Sequence, residues 1–163
     1  MKKLILLIPV LLLCACPWPF LPADCQNTVE DCAQWVAHNI RFEHDGIQFL
    51  EEDYWQTPRE TIENKKGDCE DVCGLFMHMV ESKGNHKTFM YAVDAGLSAH
   101  AIVEVDGKIY DILNAEKKVV IYNSINDIKY KRWIYKLSYS EYITLSEKYH
   151  GYKDTKYGIW NKD

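Results

Sequence analysis

The sequence has no excess of basic residues, no hydrophobic run of membrane-spanning length and no internal repeat. Its 163 residues carry 19 Lys and Arg against 24 Asp and Glu, a formal charge of −5, so it lacks the basic surface typical of nucleic-acid-binding proteins. Hydrophobic residues make up 47% of the chain, which is too many for a disordered protein. The length and the apolar fraction fit one globular domain with its own core.

The longest apolar run covers residues 4–13 and follows Lys2 and Lys3. It is shorter than the ~20 residues that cross a bilayer, but it matches the central region of a secretory signal. The sequence Leu13-Cys14-Ala15-Cys16 that follows has the form of a bacterial lipobox. We expect residues 1–15 to be a lipoprotein signal peptide, with lipid on Cys16 and a Pro-rich tether over residues 16–27. An ordinary cleaved signal with two incidental cysteines is the alternative.

Lipid attachment would place the protein in the cell envelope, anchored to a bacterial membrane. Pro17 stands where some enteric lipoproteins carry an inner-membrane retention aspartate, so the outer membrane is favoured in a Gram-negative cell. Export also means an oxidising space, in which Cys25 and Cys32 could form a disulfide. On one continuous helix they would lie about 10 Å apart, beyond the ~7 Å limit between Cα atoms, so Cys25 must precede the helix.

The hydrophobic period changes from helical to strand-like near the middle of the chain. It predicts a helix over residues 28–40, a short helix that begins at Pro58, and a stronger helix from an Asp68 cap to near Gly84. Strands are predicted over residues 88–93, 99–105, 108–113, 119–122 and 132–137, and residues 138–150 are expected to be partly helical. Helices followed by an antiparallel sheet indicate an α+β domain over residues 28–163.

Cys69 lies at the first turn of the stronger helix, where backbone N–H groups and the helix dipole favour a thiolate and can bind an oxyanion. Its neighbours Asp68, Glu70 and Asp71 act against this, because nearby negative charges raise a thiol pKa. A protonated histidine would offset them. The alternative is that Cys69 is a small buried core residue.

Asp106-Gly107 is a strong signal for a two-residue hairpin turn. If Val105 lies opposite Lys108, His100 and Asp111 are diagonal neighbours on one face, about 7–8 Å apart at the backbone. Asp111 would then fix the tautomer of His100, and His100 would activate the Cys69 thiol.

Four segments resemble the bacterial transglutaminase-like cysteine peptidases, which belong to the papain-like superfamily. They are Tyr54-Trp55-Gln56-Thr57-Pro58-Arg59-Glu60-Thr61, Gly67-Asp68-Cys69-Glu70-Asp71, His100-Ala101-Ile102-Val103 and Tyr110-Asp111. The resemblance implies a transglutaminase-like core with Cys69 as nucleophile, His100 as base and Asp111 as orienting acid. It also implies an upstream polar group that assists the oxyanion, for which Gln56 is the candidate.

The implied reaction is acyl transfer from an amide of a protein or peptide substrate through a Cys69 thioester. Water as acceptor gives a peptidase or amidase and is favoured; a lysine amine gives a cross-linking enzyme. Some family members bind calcium near this turn, but Asp71 alone does not supply the six to eight oxygens that calcium needs. We therefore expect no metal and no cofactor, and a monomer.

Two alternatives remain open from the sequence. One is a catalytically inactive binding module on the envelope surface, and the other is a structural lipoprotein with both cysteine pairs oxidised.

Gly74 departs from the family pattern. Glycine inside a helix costs ~1 kcal/mol against alanine. We expect it to admit the close packing of a neighbouring segment.

Overall fold

Among the described residues, three helices precede the main run of strands and a fourth helix follows it, as the sequence predicts. The computed structural model describes residues 28–45 and 53–149. The helices are α1 (Val29–Asn39), α2 (Pro58–Asn64), α3 (Cys69–Glu81) and α4 (Tyr139–Tyr149). The predicted α+β class is confirmed. Within the described residues, no helix is both long enough and apolar enough to cross a bilayer. The predicted signal peptide and tether lie outside these residues.

Capping boxes determine where the first two helices begin. The Thr28 side chain accepts from the Asp31 backbone while Asp31 accepts from Thr28, and Thr57 and Glu60 form the same reciprocal pair ahead of α2. Each box satisfies two of the backbone N–H groups that a helix start leaves without partners. The start of α3 differs, because its N-cap residue Asp68 makes no side-chain capping hydrogen bond. The first N–H groups of α3 are therefore left without this partner.

A five-stranded antiparallel sheet forms the second half of the molecule. Its strands are β3 (Thr88–Asp94), β4 (Ala99–Val105), β5 (Lys108–Leu113), β6 (Lys118–Tyr122) and β7 (Trp133–Ser138), in the spatial order β6-β5-β4-β3-β7. A separate pair, β1 (Arg41–Phe42) and β2 (Lys66–Gly67), is parallel and joins the ends of α1 and α2. Each of these strands has only two residues, too few for a detectable hydrophobic period, so the sequence does not indicate them.

The hairpin of β4 and β5 follows the predicted register near its turn. Val105 pairs with Lys108, and Val103 pairs with Tyr110. Asp106 and Gly107 both have positive φ, 49° and 92°, as a type I′ turn requires. The register is therefore confirmed where the turn determines it.

The same pairing was expected to continue to Ile102 opposite Asp111 and His100 opposite Leu113, and this is wrong. The hydrogen-bonded pairs between β4 and β5 end at Val103 and Tyr110, although β4 stays paired with β3 as far as Ala99. Beyond these pairs, residues 99–101 of β4 and residues 112–113 of β5 line a cleft.

Helix α3 lies at the centre of the main core and is buried on nearly all sides. Nine of its residues are buried, from Asp71 to Met77 together with Met79 and Val80. A second, smaller cluster packs on the other face of the sheet. It contains Tyr91, Val93, Ile102 and Ile109, against which Phe89, Tyr122, Ile125, Ile128 and Tyr130 pack. Part of the segment between β6 and β7 thus covers the sheet face opposite the helices.

Gly74 lies directly against the ring of Tyr142 on α4. A Cβ atom at position 74 would stand 1.9 Å from Tyr142 Cζ, so only glycine fits. The Tyr142 hydroxyl donates to the backbone carbonyl of Gln56 at 2.6 Å, and its ring stacks on Trp55 at 5.7 Å. The expected close approach at Gly74 is confirmed, and it joins α4 to the segment that precedes α2.

Candidate active site

A cleft of about 790 Å³ is lined by residues of β3, β4 and β5 and by the start of α3. Cys69 at the start of α3 and His100 on β4 both line it, together with Trp55, His44 and Tyr130. Helix α3 and strand β4 thus bring the predicted nucleophile and the predicted base into one cavity.

Cys69 is half-buried and is a free thiol. Its Sγ donates to Glu70 Oε2 at 3.2 Å. Burial raises the pKa of the Cys69 thiol well above its usual value, and the negative charges of Glu70 and Asp68 raise it further. Cys73, one helical turn along, is also a free thiol but is buried, and burial raises its pKa as well.

His100 and Asp111 form a direct hydrogen bond. His100 Nε2 lies 2.8 Å from Asp111 Oδ1, and the Asp111 side chain is fully buried. Burial alone would raise the pKa of Asp111, but the hydrogen bonds from His100 and Tyr130 and the charges of His100 and Lys129 outweigh it, and its pKa is lowered. An ionised carboxylate can only accept. Nε2 of His100 must therefore carry the shared hydrogen, which leaves Nδ1 as the basic nitrogen.

Asp111 receives a second hydrogen bond from outside the predicted set. Its Oδ2 accepts from the Tyr130 hydroxyl at 2.7 Å, and Lys129 Nζ lies 3.6 Å from the same oxygen. The ring of Tyr130 also lies 5.4 Å from the imidazole of His100, between centroids. Residues on both sides of Asp111 on β5, Tyr110 and Ile112, belong to the main core, so Asp111 alternates to the sheet face where Tyr130 lies.

Gln56 occupies a different role from the predicted one. Its Nε2 donates to the Lys66 carbonyl and to Asp71 Oδ2, while its Oε1 accepts from Asn64. Its backbone N–H also donates to Asp71 Oδ1. Both amide hydrogens are thus used within the protein, and this arrangement does not support oxyanion binding by Gln56. The side chain instead holds the buried Asp71 in place.

Carboxylates converge beside Cys69. Oxygens of Asp45, Asp53 and Glu70 lie within 4.8 Å of one another, and so do those of Asp45, Asp68 and Asp71. We call these five residues the acidic cluster. Carboxylate oxygens are the ligands that calcium prefers, and Asp68 Oδ1 is buried with no hydrogen-bond partner in the described part of the chain. The donor set therefore fits a hard divalent cation.

The acidic cluster is electrostatically unfavourable without a compensating positive charge. Burial raises the pKa of Asp68, and it raises those of Glu70 and Asp71 well above their usual values. Mutual repulsion adds to this, since the charge of Asp68 raises the pKa of both Glu70 and Asp71.

A family model described as a transglutaminase-like domain matches residues 19–144. The chain belongs to the transglutaminase-like domain family. The family predicted from the sequence motifs is thereby confirmed. A curated relative of this transglutaminase-like domain is the UPF0252 protein MJ1282 of Methanocaldococcus jannaschii, which is 39% identical over 57 residues, 32% of this chain and 16% of that protein.

Solved structures of Legionella pneumophila LapG have a similar fold. One LapG structure superposes with a TM-score of 0.50 at 21% identity, covering 69% of this chain and 66% of LapG. A calcium-bound form gives 0.50 at 22% identity over 69% and 66%, and an EGTA-treated form gives 0.50 at 20% over 69% and 64%. The chain thus spans less than two thirds of the length of each of these relatives. At this identity the similarity concerns the fold alone.

The transglutaminase-like domain contains two features that the sequence did not indicate. Tyr130 follows an irregular segment with no recognisable motif around it. Asp45 and Asp53 join the acidic cluster from a region without a predicted element, although the three acidic residues around Cys69 were a usable signal.

Of the other predicted residues, Cys32 is disulfide-bonded, while Cys16 and Cys25 lie outside the described residues.

Proposed function

We propose that this transglutaminase-like domain is an acyl-transfer enzyme that cleaves an amide of a protein or peptide through a thioester on Cys69. The observation that carries this is the hydrogen bond between His100 and Asp111. The imidazole of His100 lines the same cleft as the Cys69 thiol, which lies at a helix N-terminus. Such an arrangement of nucleophile, base and orienting acid is the usual structure of a cysteine-dependent acyl transferase.

In the proposed reaction, His100 Nδ1 takes the Cys69 proton as the sulfur attacks the amide carbonyl carbon. The C–S bond forms, the C–N bond then breaks, and the imidazolium gives its proton to the leaving amine. The first N–H groups of α3, which have no side-chain cap, are placed to stabilise the oxyanion. Water, deprotonated by His100, then attacks the thioester carbonyl carbon; the C–S bond breaks, the carboxylic acid product leaves, and the imidazolium returns its proton to the Cys69 sulfur. The family resemblance to cysteine peptidases favours water over an amine acceptor.

The test compares Cys69→Ala with Cys73→Ala, a matched removal of the neighbouring thiol. Each variant is incubated with a quenched-fluorescent peptide library, and adducts are located by mass spectrometry. We expect cleavage and an acyl adduct on Cys69 in the unmodified chain and in Cys73→Ala, and neither in Cys69→Ala at unchanged circular dichroism. Iodoacetamide should abolish cleavage. Its stoichiometric reaction with Cys73 instead of Cys69 would contradict the assignment.

A second candidate function is favoured by the environment of the thiol. Cys69 donates to Glu70, and burial together with acidic neighbours raises the pKa of its thiol. A raised thiol pKa disfavours the reactive thiolate, and a site that only binds a peptide does not need a thiolate. An inactive binding module would cleave none of the peptides in the library, and it would bind them equally well before and after the Cys69→Ala substitution.

We also propose that a divalent cation, with calcium as the candidate, binds the acidic cluster. This revises the expectation from Asp71 alone, because oxygens of Asp45 and Asp68 lie beside Asp71, and Asp45 also joins Asp53 and Glu70. One buried Asp68 oxygen has no partner among the described residues. The existence of a calcium-bound LapG structure supports the choice of ion. When bound, the cation would supply positive charge beside Cys69 that offsets the acidic side chains.

Finally, we propose that the protein is exported and anchored to the cell envelope by lipid on Cys16. The lipobox-like sequence supports the anchor. The disulfide at Cys32 supports an oxidising compartment, since such bonds rarely persist in the cytosol.

A further inference from the structure

The backbone does not hold the His100–Asp111 pair together. The hydrogen-bonded ladder between β4 and β5 ends at Val103 and Tyr110, before either residue is reached. Asp111 remains paired only on its other side, with Val120 of β6. The relative position of the two side chains must therefore depend on side-chain contacts across the cleft.

Tyr130 supplies two such contacts. Its hydroxyl donates to Asp111 Oδ2 at 2.7 Å while Oδ1 faces His100, so both oxygens of the carboxylate are engaged and its rotation is restricted. Its ring lies 5.4 Å from the His100 ring at an interplanar angle of 48°, which limits the tilt of the imidazole. Burial and the nearby Asp111 raise the pKa of Tyr130, so its hydroxyl remains a donor throughout the physiological pH range.

Lys129 is the other group that reaches this oxygen, but it is a weaker contact. Its Nζ lies 3.6 Å from Asp111 Oδ2 and its side chain is 53% exposed, so solvent screens the interaction. Among the described residues, His100, Tyr130 and Lys129 lower the pKa of Asp111, and the charge of Asp111 raises the pKa of the buried Cys73 thiol. Of these four groups, Tyr130 combines a short hydrogen bond to Asp111 with a ring contact to the base.

We propose that Tyr130 is a positioning residue: it locks the Asp111 carboxylate so that Oδ1 holds His100 with Nδ1 directed toward the cleft. The role is stated for the proposed acyl transfer and so rests on that function. The proposal also explains how His100 and Asp111 keep a defined geometry beyond the last backbone pair of β4 and β5. Tyr130, from the segment that follows β6, contacts both side chains there.

The test is Tyr130→Phe, with Tyr91→Phe as the matched control. Tyr91 also belongs to the second cluster, and its hydroxyl also donates to a carboxylate, Glu104, at 2.7 Å. Both changes therefore remove one phenol-to-carboxylate bond from the same face of the sheet and retain the ring. They are made in the full chain, labelled with ¹⁵N at histidine, and thermal unfolding reports any general loss of stability.

For Tyr130→Phe we expect kcat on a peptide from the library to fall about 10- to 100-fold, with KM little changed. Losses of this size are typical when a group that orients a site residue through a hydrogen bond is removed. The low-field proton signal of His100 Nε2 should exchange faster with water. Tyr91→Phe should alter neither. Equal kcat in the two variants would overturn the proposal, and so would a fall in kcat with an unaltered His100 signal. If the unmodified chain cleaves nothing, the proposed function fails, and the His100 signal still decides the role of Tyr130.

Discussion

At the scale of single residues, opposing charges determine how reactive Cys69 can be. The helix start favours a thiolate by about 0.3–1 kcal/mol at exposed sites. Burial and the charges of Glu70 and Asp68 act in the opposite direction and outweigh it, because the pKa of the thiol is raised. An enzyme with this sequence therefore needs positive charge near its nucleophile. His100 is one source, and a cation at the acidic cluster is the other.

The cation leads to a prediction about stability as well as binding. The five carboxylates lie close together only in the folded chain, so calcium should bind the folded state and not the unfolded one. At a calcium concentration 100 times its Kd, binding should raise the free energy of unfolding by about 2.7 kcal/mol. Asp53→Asn should weaken calcium binding at least several-fold. Glu116→Gln is the control, since Glu116 lines the same cleft but lies outside the acidic cluster. Calorimetric titration and thermal unfolding with calcium, then with excess EGTA, measure both effects. Equal effects of the two variants, or no calcium-dependent shift in Tm, would refute the site.

At the scale of elements, α3 carries Cys69 at one end and packs against α4 through Gly74. Gly74→Ala should improve intrinsic helix propensity by ~1 kcal/mol, yet the new Cβ would stand 1.9 Å from the Tyr142 ring. Overpacking of this kind costs typically ~1–3 kcal/mol, so we expect a net loss of stability. Urea unfolding measures it.

A double-mutant cycle separates the clash from other effects of the substitution. In a Tyr142→Ala background the ring is gone, and adding Gly74→Ala should then cost nothing or stabilise the helix. If Gly74→Ala is equally destabilising with and without the ring, the close approach to Tyr142 is not its cause.

The elements also show what sequence patterns can and cannot predict. The Asp106-Gly107 turn determines the register of the first three pairs, because its geometry is local. The point where pairing stops is not local, and no pattern in the sequence marks it. For the same reason Cys69, His100 and Asp111 could be predicted from motifs, whereas Tyr130 could not, since it reaches Asp111 from a segment without periodicity. The acidic cluster could not be predicted either, because Asp45 and Asp53 approach the residues around Cys69 only in the folded structure.

At the scale of the whole molecule, the sheet separates two layers with different tasks. The helices and the main core hold Cys69 on one side, and the second cluster with Tyr130 supports Asp111 on the other. The cleft is lined by residues from both layers, among them Cys69 and Tyr130, so the candidate site depends on both being folded. Damage to either layer should therefore reduce activity, even where no cleft residue changes.

Membrane anchoring is a property of the entire chain and can be tested as one. A single acyl chain binds a bilayer only marginally, so stable anchoring needs more than one chain. We expect the full chain to remain with membranes after a carbonate wash and to carry fatty acyl mass on Cys16. Cys16→Ala should release it, while Cys14→Ala, the same change two residues earlier, should not. Membrane retention of Cys16→Ala, or acyl mass on Cys14, would refute the lipidated anchor and leave an ordinary secretory signal as the explanation of the first fifteen residues.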